Sequence, residues 1–150
     1  MERTLVLLKP DAVQRGLVGQ IIARLEARGL KIAAMKLMQM DQALAHRHYE
    51  AHVGKGFFPG LVGFITSGPL VAMVLEGKDA VAIVRNTMGE TNAAKAAPGT
   101  IRGDFAIDIG RNLIHGSDAV DSAKREIAIF FRDSEILSYS RANDPWILES

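Results

Sequence analysis

The order of short apolar runs and helical patterns constrains the fold of this chain more than any other feature. Residues 4–8 and 70–75 are short apolar runs, and each ends at or near a polar or turn-forming residue, which predicts two buried strands. Residues 30–40 mix apolar and basic side chains and predict a further strand. The apolar pair at residues 113–114 is the candidate for a fourth. The sequence therefore predicts four strands.

Helical patterns separate these strands. Apolar residues at helical spacing from Val18 predict a helix that stops at Gly29, and Asp79 is placed to cap a helix that runs through Met88 and stops at Gly89. Three further helices are predicted at residues 41–48 with Asp41 as cap, at residues 61–65, and at residues 122–131 with Asp118 or Asp121 as cap. Residues 90–111 predict a long loop, which in a compact domain is usually functional.

The resulting order is β-α-β-β-α-β with extra helices, which is typical of an α/β (α+β) protein. We expect the ferredoxin-like sandwich, a four-stranded antiparallel sheet with helices on one face. A chain of 150 residues predicts one domain over residues 1–150, large enough to bury a core. Both enzymes and RNA-binding modules use this fold, so the fold alone leaves the function open.

Composition excludes several kinds of function. The chain has no cysteine, which excludes disulfides, thiolate metal sites and thiol catalysis. Its formal net charge is +1, so any anion site must be built locally from a few cationic side chains. No apolar segment is long enough to span a bilayer, and the N-terminal apolar run is too short for a signal peptide. We therefore expect a cytoplasmic protein with no membrane partner.

Three of the four histidines lie close together in the sequence. His48 and His52 are four residues apart, as in some zinc sites, and His46 is near them. The His-Glu-x-x-His pattern is absent, however. We interpret these histidines as a solvated helix face and predict no metal site built by protein side chains alone.

His115 stands in a different setting, within residues 112–118, which read Asn-Leu-Ile-His-Gly-Ser-Asp. A polar cluster directly follows an apolar pair, which predicts a histidine at the end of a strand. Gly116 would leave room for a substrate beside the ring. Ser117 and Asp118 are candidates to cap the next helix, whose N-terminus favours an anion. Two interpretations remain at this point: a functional histidine, or an ordinary loop histidine beside a helix cap.

Residues 112–118 match the pattern Asn-x-x-His-Gly-Ser-Asp, which is the active-site signature of nucleoside diphosphate kinases. Residues 4–19, 57–69 and 98–105 also resemble segments of that family, in the same order along the chain. The resemblance covers essentially the whole sequence. It implies Mg²⁺-dependent transfer of a terminal phosphoryl group from a nucleoside triphosphate to a diphosphate, with broad base specificity.

The resemblance also implies roles for single residues. His115 would attack the terminal phosphorus through its δ nitrogen and become phosphohistidine. Glu126 would orient the ring, Ser117 would hold Glu126, and Tyr49 would reach the phosphoryl group or help to place His115. Nucleotide contacts would come from a larger set: Lys9, Arg85, Thr91 and Arg102 at the phosphates and sugar, Asn112 at the ribose, and Phe57 as the surface on which the base stacks, with Leu61 and Ile109 opposite.

The same resemblance implies no metal site on the protein, because Mg²⁺ would arrive on the nucleotide phosphates. It also implies a closed homo-oligomer, with a hexamer favoured and a tetramer possible. The contacts would come from the loop around Pro98 and from the C-terminal tail. That tail carries its own apolar cluster, Trp146 to Leu148, after a turn-like segment at residues 143–145.

The chain departs from the family pattern at two places. The family commonly has an acidic residue, an arginine and a proline before the two phenylalanines, where this chain has Gly54, Lys55 and Gly56. A second acidic position is Ala51 here. We expect a looser segment over the nucleotide and leave the assignment of His115 unchanged.

Two other classes of function were weighed against the kinase. A nucleic-acid-binding module would need basic and aromatic residues on an open sheet face, and 6% aromatic content with a net charge of +1 argues against it. A non-catalytic ligand-sensing or assembly domain would explain the fold. It would not explain the lysine, arginine, threonine, asparagine and histidine residues of the matched segments.

Overall fold

A computed structural model describes residues 1–149 and shows one four-stranded antiparallel sheet. Its strands are β1 (Glu2–Leu8), β2 (Lys31–Met38), β3 (Leu70–Gly77) and β4 (Ile114–Gly116), in the order β2-β3-β1-β4. Strand β1 lies between β3 and β4, pairing Leu5 with Val74 and Leu7 with His115. The four predicted strands and the ferredoxin-like arrangement are confirmed.

Within residues 1–149, seven α-helices accompany this sheet. They are α1 (Pro10–Gln14), α2 (Val18–Ala27), α3 (Gln42–His48), α4 (Phe58–Ile65), α5 (Ala80–Met88), α6 (Ile101–Phe105) and α7 (Val120–Phe130). Short 3₁₀ helices lie at Glu50–His52, Ala93–Lys95, Asp133–Glu135 and Asp144–Trp146. None of the helices within residues 1–149 has the length and apolar character that crossing a bilayer requires.

Helices cover both faces of the sheet, so the expectation of helices on one face was wrong. Alternate residues of a strand point to opposite faces. Val6 and Leu8 belong to the core shared with α2 and α5, whereas Leu5 and Leu7 belong to the core shared with α3, α4 and α7. All four side chains are fully buried. The apolar run of β1 is therefore explained by burial on two sides.

The predicted loop at residues 90–111 contains two helices instead. One is the 3₁₀ helix Ala93–Lys95, and the other is α6, which Thr100 caps by accepting a 3.0 Å hydrogen bond from the Gly103 backbone. Gly103 permits the close return of this segment, since an added Cβ would lie 1.9 Å from the carbonyl oxygen of Ala97. The segment is compact because its backbone packs closely against itself at Gly103. Such contact leaves no periodic apolar pattern from which the helices could be predicted.

The caps agree only in part with the prediction. Asp41 caps α3 by accepting a 2.8 Å hydrogen bond from the Leu44 backbone, as expected. Asp79 precedes α5 but adopts a left-handed conformation with φ of 53°, and its side chain makes no capping bond within the described residues. Neither Asp118 nor Asp121 caps α7, whose N-cap residue is Ala119. Helix α1, with Pro10 in its first turn, was not predicted.

Candidate active site

An unusual backbone turn places the candidate nucleophile. Leu113 was predicted to begin the strand, but it is left-handed with φ of 73°, and β4 begins one residue later. Such a conformation costs about 1–3 kcal/mol for a residue with a side chain. The Leu113 backbone N–H donates to Asp11 Oδ2 at 3.0 Å, and its carbonyl accepts from the Lys9 backbone at 2.8 Å. These two bonds hold the start of β4 against the corner where β1 meets α1.

His115 is held by a carboxylate on the neighbouring helix. Its Nε2 lies 2.6 Å from Glu126 Oε1, and the Ser117 hydroxyl donates to the same oxygen at 3.1 Å. Ser117 is fully buried, and its hydroxyl also accepts from the Leu5 backbone at 3.3 Å. Glu126 comes from α7 and Ser117 follows β4, so the orientation of the ring depends on how α7 packs against the sheet.

This contact determines which ring nitrogen of His115 is free to react. An ionised carboxylate only accepts hydrogen bonds, so Nε2 must carry the proton and donate it to Glu126. In the neutral ring, Nδ1 then keeps its lone pair. The side chain of His115 is 29% exposed, so a substrate can reach it. The geometry therefore presents Nδ1 as a nucleophile.

His48 packs directly against this ring, which the sequence did not lead us to expect. Its ring centroid lies 4.8 Å from that of His115 at an interplanar angle of 87°, and Phe130 lies 5.3 Å away on another side. Only 8% of His48 is exposed, and this burial, helped by the nearby ring of His115, lowers its pKa to about 3. His48 is therefore neutral at any physiological pH.

The interpretation of His48 as part of a solvated helix face was wrong. Helix α3 ends at His48, and His52 lies in the separate 3₁₀ helix that follows, so the assumed spacing of four residues along one helix does not apply. His48 lies three residues after Ala45, which is fully buried. That helical spacing was the available signal that His48 shares the buried face.

Tyr49 lies beside His48 rather than at a free surface. The two ring centroids are 4.6 Å apart, and burial raises the pKa of Tyr49 to about 12. Its hydroxyl therefore stays protonated and can donate a hydrogen bond at neutral pH. The His48 ring in turn packs against His115.

Lys9, Asn112 and Thr91 form one connected group. The Lys9 ammonium donates to Asn112 Oδ1, and Asn112 Nδ2 donates to the Thr91 carbonyl at 2.9 Å. Burial lowers the pKa of Lys9 to about 8; the positive charges of Arg102 and Arg111 act in the same direction, and Asp11 opposes them. A lysine whose charge is unfavourable in the free protein gains from the arrival of an anion.

Arg102 is nearly fully buried and bonds to backbone carbonyls. Its Nε donates to Asn112 at 3.2 Å, and its two terminal nitrogens donate to Gly89 at 3.0 Å and Ile114 at 2.5 Å. Burial, and then the charge of Arg85, lower its pKa to about 10, so the guanidinium is charged at neutral pH. Three of its five N–H donors are used in this way, which leaves two for a ligand.

Arg85 lies on α5, which packs against β4. One of its terminal nitrogens donates to the Gly116 carbonyl at 3.2 Å. Gly116 itself has a different role from the one expected, since an added Cβ would lie 2.6 Å from Met88 Sδ and 2.9 Å from Val84 Cγ1. Its glycine lets α5 pack closely against β4 and does not serve to admit a substrate.

Two aromatic rings lie at opposite ends of α4, Phe57 just before its first residue and Phe64 in its last turn. Phe57 is 55% exposed, with the His52 ring 5.3 Å from one side and the Lys55 ammonium 5.7 Å from its centroid. Arg111 stacks on Phe64 at 4.1 Å. The prediction missed Arg111, although its position directly before Asn112 was a usable signal.

One group in the described part of the chain has the side chains of a metal site. His48, His115 and Glu126 each place a ligand atom within 4.8 Å of the other two. Two imidazoles and one carboxylate suit Zn²⁺ and similar ions, whereas Mg²⁺ prefers oxygen ligands.

Asp118 is exposed, and its hydrogen bond from Ser122, followed by nearby positive charge, lowers the pKa of its carboxyl group.

The arrangement as a whole suits chemistry on an anionic electrophile. The imidazole of His115, whose Nδ1 does not face Glu126, stands on β4, and the side chains of Lys9, Arg85 and Arg102 lie on elements that pack around the same strand. Cations near a nucleophile attract phosphate oxygens and stabilise charge in the transition state of phosphoryl transfer.

Comparisons with known proteins agree with this chemistry. The family model described as nucleoside diphosphate kinase matches residues 2–136. A nucleoside diphosphate kinase of Desulforamulus reducens is 60% identical over 99% of this chain and 100% of its own length, and one of Archaeoglobus fulgidus is 57% identical over 99% of each. The structure of a halophilic nucleoside diphosphate kinase from Halobacterium salinarum in complex with CDP is 56% identical, covers 99% of each chain and has a TM-score of 0.96.

Proposed function

The chain belongs to the nucleoside diphosphate kinase family, and we propose that it transfers the terminal phosphoryl group between nucleotides through a phosphohistidine at His115. The enzyme class, nucleoside-diphosphate kinase, follows from the family. The observation that carries the mechanism is the 2.6 Å contact between His115 Nε2 and Glu126, because it leaves Nδ1 with its lone pair. The whole of residues 1–150 acts as one kinase domain in this proposal.

The reaction has two matched steps. In the first, Nδ1 of His115 attacks the terminal phosphorus of a nucleoside triphosphate, and the bond to the bridging oxygen breaks to release a diphosphate. Glu126 stabilises the positive charge that the ring acquires, and Ser117 keeps the carboxylate in place. In the second, a terminal oxygen of another nucleoside diphosphate attacks the phosphohistidine and regenerates the free ring.

The surrounding residues bind and orient the nucleotide. Lys9, Arg85 and the two spare N–H groups of Arg102 bind phosphate oxygens, together with the Thr91 hydroxyl, and Asn112 reaches the ribose. Tyr49 supports the His48 ring, which packs against His115. In support, the solved relative from Halobacterium salinarum carries CDP.

Magnesium enters this proposal as part of the nucleotide substrate. Mg²⁺ neutralises phosphate charge and keeps most of its waters when bound to a polyphosphate. The described cluster of His48, His115 and Glu126 offers two nitrogen donors, a poor set for this ion. Asp118 is exposed, and the pKa of its carboxyl group is lowered. Its carboxylate can therefore accept a hydrogen bond from a water bound to the ion.

The Phe57 side chain should contribute binding energy to every nucleotide alike. Stacking on an aromatic ring needs only the face of the base, and Phe57 is 55% exposed. We expect Phe57→Ala to weaken the binding of ATP, GTP and CTP by a similar free energy, about 1–3 kcal/mol each. Titration calorimetry with the three nucleotides measures this. A loss confined to one base would mean that Phe57 reads base identity.

The charge of Lys9 should set the alkaline limit of activity. Its pKa of about 8 means that the ammonium is charged below that pH and neutral above it. We expect kcat/KM for Mg-ATP to fall about tenfold per pH unit well above that value, since kcat/KM reports groups of the free enzyme. The Lys9→Arg protein should have a lower kcat/KM that does not fall at alkaline pH, because the guanidinium stays charged. Parallel declines in both proteins would remove Lys9 as the cause.

Initial-rate kinetics test the proposed two-step reaction. Varying the donor triphosphate at several fixed concentrations of acceptor diphosphate should give parallel double-reciprocal lines, as expected when one product leaves before the second substrate binds. Intersecting lines would contradict a phosphoenzyme intermediate.

An RNA-binding module would need an open sheet face, but helices cover both faces of this sheet within residues 1–149. A ligand-sensing domain would show no exchange at all.

We also propose that the chain forms a homo-oligomer, with a hexamer favoured over a tetramer. Strand β2 lies at the edge of the sheet, and its Leu37 is 68% exposed. Ile107 and Trp146 are exposed at 88% and 90%. Apolar side chains exposed in several places, one of them on an unpaired strand edge, favour contact with further copies of the chain. A cytoplasmic location is part of the same proposal, since nucleoside triphosphates are intracellular substrates.

The C-terminal tail both folds back and remains partly exposed. Arg141 donates to the Gly29 carbonyl at 3.0 Å, and Ile147 lies against Gly29, whereas the Trp146 side chain faces solvent. We expect deletion of residues 143–150, the last of which lies outside the described residues, to weaken the oligomer while His115 can still be phosphorylated. Light scattering after size exclusion measures this. A full-length protein that runs as a 16.3 kDa monomer at micromolar concentration would contradict the assembly.

A further inference from the structure

The His48 ring is a buried polar group that the proposed reaction does not use. It is 8% exposed, and its Nδ1 has no hydrogen-bond partner among residues 1–149. A buried polar atom without a partner is costly, and such atoms often mark an ion or ligand that the free protein lacks. A neutral imidazole ring keeps one nitrogen lone pair, which makes histidine a common metal ligand in proteins.

His48 stands next to two other metal-binding side chains. One ligand atom each of His48, His115 and Glu126 lie within 4.8 Å of one another, with His115 Nε2 and Glu126 Oε1 only 2.6 Å apart. Ligand atoms on a tetrahedral ion with bonds of about 2.0–2.1 Å lie roughly 3.3 Å apart. To bind an ion, the hydrogen-bonded pair therefore has to separate slightly, and the His48 ring has to move closer to it.

We propose that His48, His115 and Glu126 form a binding site for Zn²⁺ or a similar borderline-soft divalent ion, and that the bound ion inhibits the enzyme. Two histidines, one carboxylate and a fourth position open to water form the ligand set of many zinc sites. Mg²⁺ does not compete well for such ligands, because it prefers oxygen. The site therefore distinguishes a trace transition metal from the magnesium that accompanies the nucleotide.

The inhibition follows from the proton balance on His115 and rests on the proposed role of Nδ1 as nucleophile. The ion replaces the proton on Nε2, and the ring remains neutral by holding that proton on Nδ1 instead. The Nδ1 lone pair is then no longer available to attack phosphorus. No oxidant or other reactant is needed, and a chelator that removes the ion restores the original tautomer.

The charges around the site limit its affinity. Arg125 and Lys9 both act on the His48 ring, and their positive field opposes a divalent cation. Glu126 supplies the one negative charge among the three ligands. We therefore expect binding that strengthens as salt screens the two cations, and that competes with nucleotide for the same space.

Cobalt binding to the full-length, nucleotide-free protein tests the site directly. Co²⁺ substitutes for Zn²⁺ and gives strong visible absorption when tetrahedrally coordinated, so affinity is read without any activity assay. His48→Gln should weaken Co²⁺ binding at least about 10–100-fold, the loss that follows even from removing an outer partner of a ligand. His46→Gln is the matched control, because His46 is exposed on the same helix and contacts Gln42 and Phe58 instead.

Thermal unfolding of both variants shows whether His48→Gln is folded, and X-ray absorption of the wild-type Zn²⁺ complex gives a second measurement that needs no variant. Two imidazole ligands in that spectrum, together with exchange activity lost in Zn²⁺ and restored by chelation and fresh Mg²⁺, support the proposal. Equal Co²⁺ affinity in wild type and His48→Gln, or a spectrum without imidazole, overturns it. Absence of exchange in the untreated enzyme, with His48-dependent Co²⁺ binding intact, would overturn the kinase mechanism and leave the metal site standing.

Discussion

His115→Ala should abolish phosphoryl exchange between ATP and GDP, lowering kcat by at least a factor on the order of 10⁴. Removing the nucleophile of a covalent mechanism typically costs that much or more, because no other group can form the intermediate. The effect should not arise from unfolding, since His115 is partly exposed and its loss removes little core. A coupled assay of GTP formation measures the loss.

Nucleotide affinity and a second histidine provide the controls for that variant. Lys9, Arg85 and Arg102 remain, so ATP should bind to His115→Ala nearly as well as to the wild type. His46→Ala removes an exposed histidine of α3 and should retain exchange. Substantial ATP-to-GDP transfer by His115→Ala would refute the assignment of the nucleophile.

Arg102→Ala should lower the free energy of unfolding by about 3 kcal/mol and also impair exchange. The guanidinium donates to three backbone carbonyls, and each buried group left without a partner costs about 1–3 kcal/mol. These carbonyls belong to Gly89 and to the segment that enters β4, so the loss loosens the strand that carries His115. Exchange should also fall, because the two N–H groups proposed to bind phosphate disappear.

Urea unfolding of Arg102→Ala measures the change in stability, and two variants serve as controls. Arg132→Ala removes an arginine whose side chain is 83% exposed, and it should change stability by no more than about 0.5 kcal/mol. Arg102→Lys keeps the charge but cannot bridge three carbonyls, so it should resemble Arg102→Ala in stability. An Arg102→Ala protein as stable as the Arg132→Ala protein would show that Arg102 serves the nucleotide alone.

The sequence predicted the strands and main helices because their apolar patterns are strong. Strand β1 is apolar at every buried position except Thr4, and Asp41 has the expected capping bond at α3. Apolar patterns predict less where contacts made by the backbone determine the local structure. The compact segment between Gly89 and β4 depends on close approach at Gly103 and on the side chain of Arg102, and neither leaves a periodic signal.

The resemblance predicted that Glu126 orients the His115 ring and that Ser117 holds Glu126, but it did not predict the bond between Lys9 and Asn112. His115, Glu126 and Ser117 lie in contact, and so do Lys9 and Asn112. The left-handed turn at Leu113 could not be read from the sequence, because it is imposed by a distant carboxylate, Asp11.

The same holds for His48. Its place beside His115 results from the packing of α3 against α7, a contact between segments far apart in the chain. Single-residue patterns do not contain such information. The role expected for Gly116 failed for a related reason, since the residues that crowd it, Val84 and Met88, come from α5.

The most direct test of the central claim is to find the phosphoryl group on the protein. Incubation with ATP labelled by ³²P at the terminal phosphate, followed by denaturation and digestion, should leave label on the peptide that contains His115. That label should be lost in acid, survive in alkali, and pass to GTP when GDP is added before denaturation. A protein that retains no label, or carries acid-stable label on another peptide, would contradict the account.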